Sequence, residues 1–265
     1  MTSIPSSNEK TKLILVGASG KLGRSIAKYN KVTYGICSLK NPFLGKKIEG
    51  VQEPLISSLS EVNLKIGDSY LVIDASNADN FKNVYEFCLK NKIPLVLAST
   101  GHNQKNLNKL NELSINVPVL KAPNLSEGIA FFKTHILKPI IENINSKTNL
   151  QQKSINSLDA KDVKIKIIET HHEKKIDAPS GTALDLKDYI KAGLKNLEPK
   201  IKIDSIRDRE SVGRHQIIFK VKNEEFIVTH NALTRDIFGE GIKLASHLIN
   251  KKPGIYSMIN LIEDF

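Results

Sequence analysis

The stretch Lys12–Asn30, KLILVGASGKLGRSIAKYN, decides the fold. Leu13 to Val16 is a short uninterrupted apolar run, the pattern of a strand covered on both faces in a parallel sheet. Gly17, Gly20 and Gly23 follow with the spacing Gly-x-x-Gly-x-x-Gly. Leu22, Ile26 and the aliphatic stem of Lys28 then continue as a helix. Strand, glycine turn and helix in that order allow a tight turn, close approach of a pyrophosphate, and free N–H groups at a helix start. A glycine triplet alone is weak; its place between strand and helix gives it meaning. Lys21 and Arg24 stand beside the turn, either assisting phosphates or simply solvated.

Outward from this segment the alternation repeats. Further strands are expected at Thr33–Cys37, Tyr70–Asp74, Ile93–Ala98 and Val117–Lys121, with helices over Asn80–Lys90 and near Asn103–Ser114. This order predicts an α/β chain with an N-terminal Rossmann-like doubly wound parallel sheet. After about Leu125 the character changes. A helix is expected at Ile129–Ile144, a half-buried alternating strand at Val163–Glu169, and a helix at Ala183–Leu197. His215–Val221 and Glu225–Thr229 read as a hairpin joined by Lys222-Asn223-Glu224, and Phe238–Asn250 as a last helix. The expectation is therefore a second, α+β domain with a mixed or antiparallel sheet.

Composition narrows the function classes. The chain has 265 residues, 40% hydrophobic and 25% charged, as in ordinary soluble domains. The start, MTSIPSSNEKTK, lacks the apolar core of a secretory signal, and no apolar run is long enough to cross a bilayer. Cys37 and Cys88 have neither metal-ligand nor disulfide-framework spacing, so a reducing cytoplasm is the expected setting. Net charge is +11. Its lysines are scattered, with no basic arm and no interleaved aromatics, which speaks against nucleic acid and fits a site collecting anionic small molecules.

In an open α/β sheet, ligands lie outside the carboxyl ends of the strands. Asp74-Ala75-Ser76, Ala98-Ser99-Thr100-Gly101 and Ala122-Pro123-Asn124-Leu125-Ser126 fall at such ends, and small polar residues there can line a nicotinamide without crowding it. The acidic residue that bonds a ribose 2′-hydroxyl at the end of the second strand is absent; Cys37-Ser38-Leu39-Lys40 stands in its place. Ser38 with Lys40 either accepts a 2′-phosphate, favouring NADP or dual use, or touches no cofactor.

The densest chemistry lies in Glu169–Leu184, ETHHEKKIDAPSGTAL. Adjacent histidines on a strand end point to opposite sides, and no third ligand completes a zinc set, so no metal is expected. Ser180 has no nucleophile-elbow surroundings. The segment does offer a proton donor of suitable pKa, ammonium groups, and a Ser180-Gly181-Thr182 turn whose N–H groups at a helix start can cradle a carboxylate.

These residues carry a resemblance. HHEKKIDAPSGTA is similar to the signature of the 4-hydroxy-tetrahydrodipicolinate (dihydrodipicolinate) reductase family. The likeness continues in GASGKLGR, ASTG at 98–101, APNLSEG at 122–128, SVGRHQIIF and THNALTRDIFGEG, in order along almost the whole chain. Departures are the missing acidic residue near Ser38, Glu127 where the family has a small or apolar residue, and a shorter segment before Gly213.

The resemblance implies reduction of dihydrodipicolinate by NADPH or NADH on the diaminopimelate route to lysine. It implies His171 as general acid and Lys175 as the second catalytic residue, with His172, Ser180, Gly181 and Thr182 on the substrate. Gly17, Ala18, Ser19, Gly20, Lys21, Leu22, Ala98, Ser99, Thr100, Ala122, Pro123, Asn124 and Leu125 resemble cofactor-contacting positions, beside Ser38 and Lys40. It further implies a cofactor domain of residues 1–125 and 239–265, a substrate and oligomerisation domain of residues 126–238, and a homotetramer. The competing readings are another oxidoreductase of the same fold acting on an anionic imine or amino acid, and a non-catalytic NAD(P)-binding sensor. His215 and His230 are expected to pack in the core or at a hinge; His102, His135 and His247 have no supporting constellation, and Arg235 follows a polar turn.

Overall fold

A computed structural model describes residues 11–147, 158, 162–194 and 197–263, so the polar N-terminal stretch up to Lys10 lies outside the described residues. The chain divides into two compact units: one takes in the chain as far as Glu127 and again from Asp236, the other is Gly128–Arg235.

The first unit is built on a parallel sheet. Its strands are β1 (Thr11–Val16), β2 (Val32–Ile36), β3 (Ser69–Asp74), β4 (Leu95–Leu97), β5 (Pro118–Lys121) and, from the C-terminal segment, β10 (Gly254–Tyr256), in the order β10-β5-β4-β3-β1-β2. Helices α1 (Lys21–Tyr29), α2 (Phe81–Asn91) and α3 (Gln104–Ser114) make the crossovers. Leu13 to Val16 are buried, as a strand covered on both faces requires. One face carries a cluster of Ile14, Val16, Val72, Leu95 and Val119 with Phe81, Val84 and Cys88 of α2 and Leu110 and Leu113 of α3. The order reverses at β1, flanked by β2 and β3, and such a switch point opens a crevice at the strands' carboxyl ends.

The second unit carries a four-stranded mixed sheet, order β7-β6-β8-β9. Its strands are β6 (Val163–His172), β7 (Ile201–Asp208), β8 (Gly213–Val221) and β9 (Glu224–Ala232). β6 runs parallel to β7 and antiparallel to β8, which pairs antiparallel with β9. Its core joins Val163, Ile165, Ile167, Ile217 and Phe219 to Ala183, Leu186 and Ile190 of α6 (Gly181–Gly193). Leu137, Ile141 and Ile144 complete it from a long helical run: α4 (Glu127–Phe131), a π-helical turn Phe132–Leu137, and α5 (Lys138–Lys147).

Three elements differ from the expectations. β6 continues three residues past Glu169 to take in both histidines. β7, IKIDSIRD, was not anticipated: its outer half is polar and only Ile201 is buried, so hydropathy marks it weakly. The last helix is broken into α7 (Ile237–Glu240), α8 (Ile242–Ala245) and a 3-10 turn Ser246–Asn250, before β10 and α9 (Met258–Ile262). Of the helix expected at Ala183–Leu197, Lys195 and Asn196 lie outside the described residues.

Candidate functional site

In the first unit the glycine loop sits where β1 gives way to α1. Gly17 adopts φ +85°, and a Cβ on it would lie 2.7 Å from the Ala75 carbonyl oxygen, so only glycine fits between the ends of β1 and β3. A Cβ on Gly23 would lie 2.2 Å from the Gly17 carbonyl, which fixes how closely α1 packs on the loop. The amides of Gly17 and Ala18 donate to the Ile36 carbonyl at 2.9 and 3.0 Å, locking the loop to the end of β2. Gly20, the N-cap of α1, has no side chain to satisfy the first helical N–H groups, leaving them for an anion. Asn41 Nδ2 donates to Ser19 Oγ (2.9 Å), and the Arg24 guanidinium lies over the Phe43 ring, 4.9 Å from its centroid.

A cleft of about 890 Å³ opens here, lined by Gly17, Ser19, Gly20, Ser38, Asn41 and the Ala75–Asn77 turn among others. A larger one, about 1240 Å³, lies at the amino ends of β1 and β2, the wrong ends of a parallel sheet for ligand binding. Of the residues the sequence singles out for cofactor, Gly17, Ser19, Gly20 and Ser38 line the first cleft. Ala18 is fully buried beneath it; Lys21 and Lys40 are exposed, and Lys40, Leu22, Ala98–Thr100 and Ala122–Leu125 are not part of its wall.

At the ends of β3 and β4 the structure adds a network. Asp74 is fully buried; one oxygen accepts from the Ser76 amide (3.0 Å) and hydroxyl, the other from Ser99 Oγ (2.8 Å). The Ser99 hydroxyl proton is thus committed to Asp74, so His102 Nε2, 3.0 Å from Ser99 Oγ and 3.2 Å from its carbonyl, is the donor. His102, expected to stand alone, is part of the bracing that holds these two strand ends.

In the second unit, alternation along β6 turns Glu169 and His171 to the core side and Thr170 and His172 to the other. His171 is 8% exposed and hydrogen-bonds through Nδ1 to Glu169, which has no exposure at all. Arg207 of β7 donates to Glu169 at 3.0 Å and to the Asp177 carbonyl at 2.6 Å, so one guanidinium clamps both the carboxylate and the loop after β6. On that loop Lys175 Nζ donates to Asp177 (2.8 Å), and the Ala178–Pro179 peptide is cis. Ser180 is buried, and its Oγ caps α6 by accepting from the Ala183 amide at 3.2 Å, with His215 Nε2 3.4 Å away. Gly181 is exposed and Thr182 half-buried at the helix start. His172 meets Arg235.

The electrostatics follow from burial. Desolvation alone would raise the Glu169 pKa, but hydrogen bonds from Ser205, Arg207 and His171 outweigh it and hold the carboxyl below its usual range. His171 is pushed below 6.5, first by burial and further by Lys175 and Arg207, while Glu169 pulls the other way. His215, packed edge-on to His171 (centroids 5.2 Å) and near His230 (6.1 Å), is pushed down to about 3, chiefly by burial. Buried His215 and half-buried His230 thus form a neutral floor beside His171, consistent with the packing role expected of them.

A buried imidazole hydrogen-bonded to a carboxylate, a lysine and a serine-capped helix start within one strand-to-helix segment, in a chain that also carries a nucleotide-type glycine loop, match one family throughout. The family description "Dihydrodipicolinate reductase, N-terminus" fits residues 11–125, and "Dihydrodipicolinate reductase, C-terminus" fits residues 144–262. The chain belongs to the dihydrodipicolinate reductase family. The 4-hydroxy-tetrahydrodipicolinate reductases of Clostridium tetani and Clostridium novyi are 31% and 32% identical to it, over 93% and 96% of this chain and 95% and 98% of theirs. Among solved structures, a dipicolinate-bound dihydrodipicolinate reductase from Paenisporosarcina sp. TG-14 superimposes with a TM-score of 0.68 at 18% identity, over 93% of this chain and 97% of that one, a likeness of fold. Like other dihydrodipicolinate reductases, the chain is an NAD(P)-dependent oxidoreductase by family. No helix among the described residues is long and apolar enough to cross a membrane.

Proposed function

We propose that this chain reduces dihydrodipicolinate, formed from 4-hydroxy-tetrahydrodipicolinate by loss of water, to tetrahydrodipicolinate in diaminopimelate and lysine biosynthesis. The observation that carries the proposal is the grouping of buried His171, Lys175 and the start of α6 on the segment Glu169–Leu184.

The cleft of the first unit suits a dinucleotide, because the Gly17 conformation and the uncapped α1 start leave backbone where a pyrophosphate would lie. When bound, NADPH or NADH supplies the hydride. Gly17, Ser19, Gly20 and Ser38, which line that cleft, would hold the dinucleotide, with Ala18, Lys21, Leu22, Lys40, Ala98–Thr100 and Ala122–Leu125 as further candidate contacts, and a 2′-phosphate held by Ser38 with Lys40 would favour NADPH or use of both nucleotides. Residues 1–125 and 239–265 serve the cofactor, and residues 126–238 the substrate and a homotetramer; the enzyme works in the cytoplasm.

In the second unit the substrate's two carboxylates need cations and N–H groups. Gly181 and Thr182 offer the helix start, His172 and Lys175 offer polar contact and charge, and Ser180 shapes the cradle from inside through its cap. Lys175 is held by Asp177 in the free chain, so an arriving carboxylate competes for it. His171 gives its proton to the ring carbon as hydride arrives. Burial keeps this imidazole neutral in the free chain; two substrate carboxylates nearby favour its protonated form, so the acid is loaded when it is needed. A steady-state comparison of NADH and NADPH with dihydrodipicolinate tests the reading: substrate-dependent oxidation of either supports it, and nucleotide binding without such oxidation contradicts it.

A further inference from the structure

We propose that Glu169 is the positioning residue for His171: its buried carboxylate holds the proton on Nδ1, so that the proton given to substrate is carried on Nε2 alone. The proposal rests on the reductase reading above and adds to it a residue outside the HHEKKIDAPSGTA signature.

The strand pattern makes Glu169 conspicuous. Val163, Ile165 and Ile167 occupy the core-facing positions of β6, and the next position in that row is a carboxylate with no solvent exposure. Stability alone favours another aliphatic residue there, since a buried charge is costly unless paired. Here it is paired on every side. The parallel register sets Glu169 opposite Ser205 and His171 opposite Arg207, so β7 supplies a hydroxyl and a guanidinium while His171, two residues along the same face, supplies Nδ1.

An ionised carboxylate only accepts hydrogen bonds, so His171 Nδ1 must carry hydrogen. Nε2 then alternates between lone pair and N–H, and it is the atom that meets the ring carbon. A Cβ on Gly213 of β8 would lie 3.2 Å from Nε2, so glycine there keeps a side chain from crowding that nitrogen. The charged and titratable groups around His171 are Glu169 on its own strand, Arg207 on β7, Lys175 on the following loop, His215 on β8, and His230 on β9 behind His215. Ser180, at the start of α6, lies against His215. Among those acting on His171, Glu169 favours the imidazolium, while Lys175 and Arg207 oppose it. In the cycle His171 gives its Nε2 proton to carbon, the hydride brings the electron pair, and the imidazole regains a proton from water.

Activity requires protonated His171 and therefore falls as pH rises through the pKa of His171 in the substrate complex. Glu169→Gln removes the favourable charge, so this limb of the kcat profile moves to lower pH, each unit of movement costing about tenfold in rate on the limb. The substrate KM stays near that of the parent, and activity recovers on acidification. Arg207→Gln removes an unfavourable charge, so its limb moves to higher pH. A merely structural ion pair moves neither limb, or moves both the same way, and that result overturns the proposal. The 15N shifts of His171 in the unaltered protein, assigned against His171→Gln, give a readout that needs no variant at Glu169 and no turnover. Protonated Nδ1 with bare Nε2 supports the proposal and the reverse tautomer overturns it. Absence of turnover in the unaltered protein would count against the reductase reading alone.

Discussion

His215 gives the protein a measurable acid sensitivity. Its imidazole is 4% exposed, its Nδ1 has no partner among the described residues, and burial beside His171 and His230 pushes its pKa to about 3. An unfolded histidine titrates near 6.5. Between those values the unfolded chain binds a proton that the folded chain refuses, so the stability contribution is complete above about pH 6.5 and is lost as pH falls toward about 3. The slope is about 1.4 kcal/mol per pH unit, which amounts to about 2 kcal/mol at pH 5. His215→Asn keeps a polar side chain that does not titrate. Urea unfolding followed by circular dichroism, at about pH 7.5 and about pH 5, reads the effect, with His171 and His230 contributing to both proteins alike. The parent should lose about 2 kcal/mol more than the variant over that interval. Equal losses in both would refute the account of His215 as a buried neutral histidine.

Other consequences are local. Lys175→Ala should lower kcat by about 10²-fold or more while nucleotide affinity, titrated by NADPH fluorescence, stays within a few fold, since Lys175 lies outside the unit that holds the glycine loop; a parallel loss of nucleotide binding would break that division of labour. Gly23→Ala places a methyl carbon 2.2 Å from the Gly17 carbonyl, so the loop must shift: expect about 1–3 kcal/mol of destabilisation and weaker NADPH binding, read by thermal melting and fluorescence. Ser180→Ala uncaps α6 and should cost about 1 kcal/mol in urea unfolding, together with a raised substrate KM. An unchanged midpoint would show that the cap does not hold the cradle.

What was legible in the sequence was whatever hydrophobic period or glycine spacing can mark. The run Leu13–Val16 and the three glycines identified β1, the loop and α1, because buried parallel strands are continuously apolar and the close approaches at Gly17 and Gly23 admit no side chain. The sequence pattern of β6 ends at Glu169 because beyond it the alternation continues only in polar residues, Thr170, His171 and His172. The same substitution of polar for apolar groups hid the partnership of Glu169 with Arg207, which depends on a parallel strand that hydropathy scarcely marks. His102 looks isolated in sequence because the carboxylate that completes its network, Asp74, is bonded by its neighbour Ser99 only where the adjacent strand ends meet. Gly239 and Gly241, in and just after α7, pack so closely that a Cβ would lie 2.2 Å from the Ser25 carbonyl and 1.8 Å from the Leu125 carbonyl. Those contacts come from chain more than a hundred residues earlier in sequence, which no local pattern records.

The most direct test of the reductase account compares the unaltered protein with His171→Ala, each with freshly generated dihydrodipicolinate and saturating NADPH or NADH, following loss of reduced nicotinamide absorbance. The account predicts substrate-dependent oxidation by the parent and a loss of about 10²–10⁴ in kcat for the variant, with nucleotide binding retained. Oxidation that is as fast in His171→Ala as in the parent, or absent from both, would contradict it.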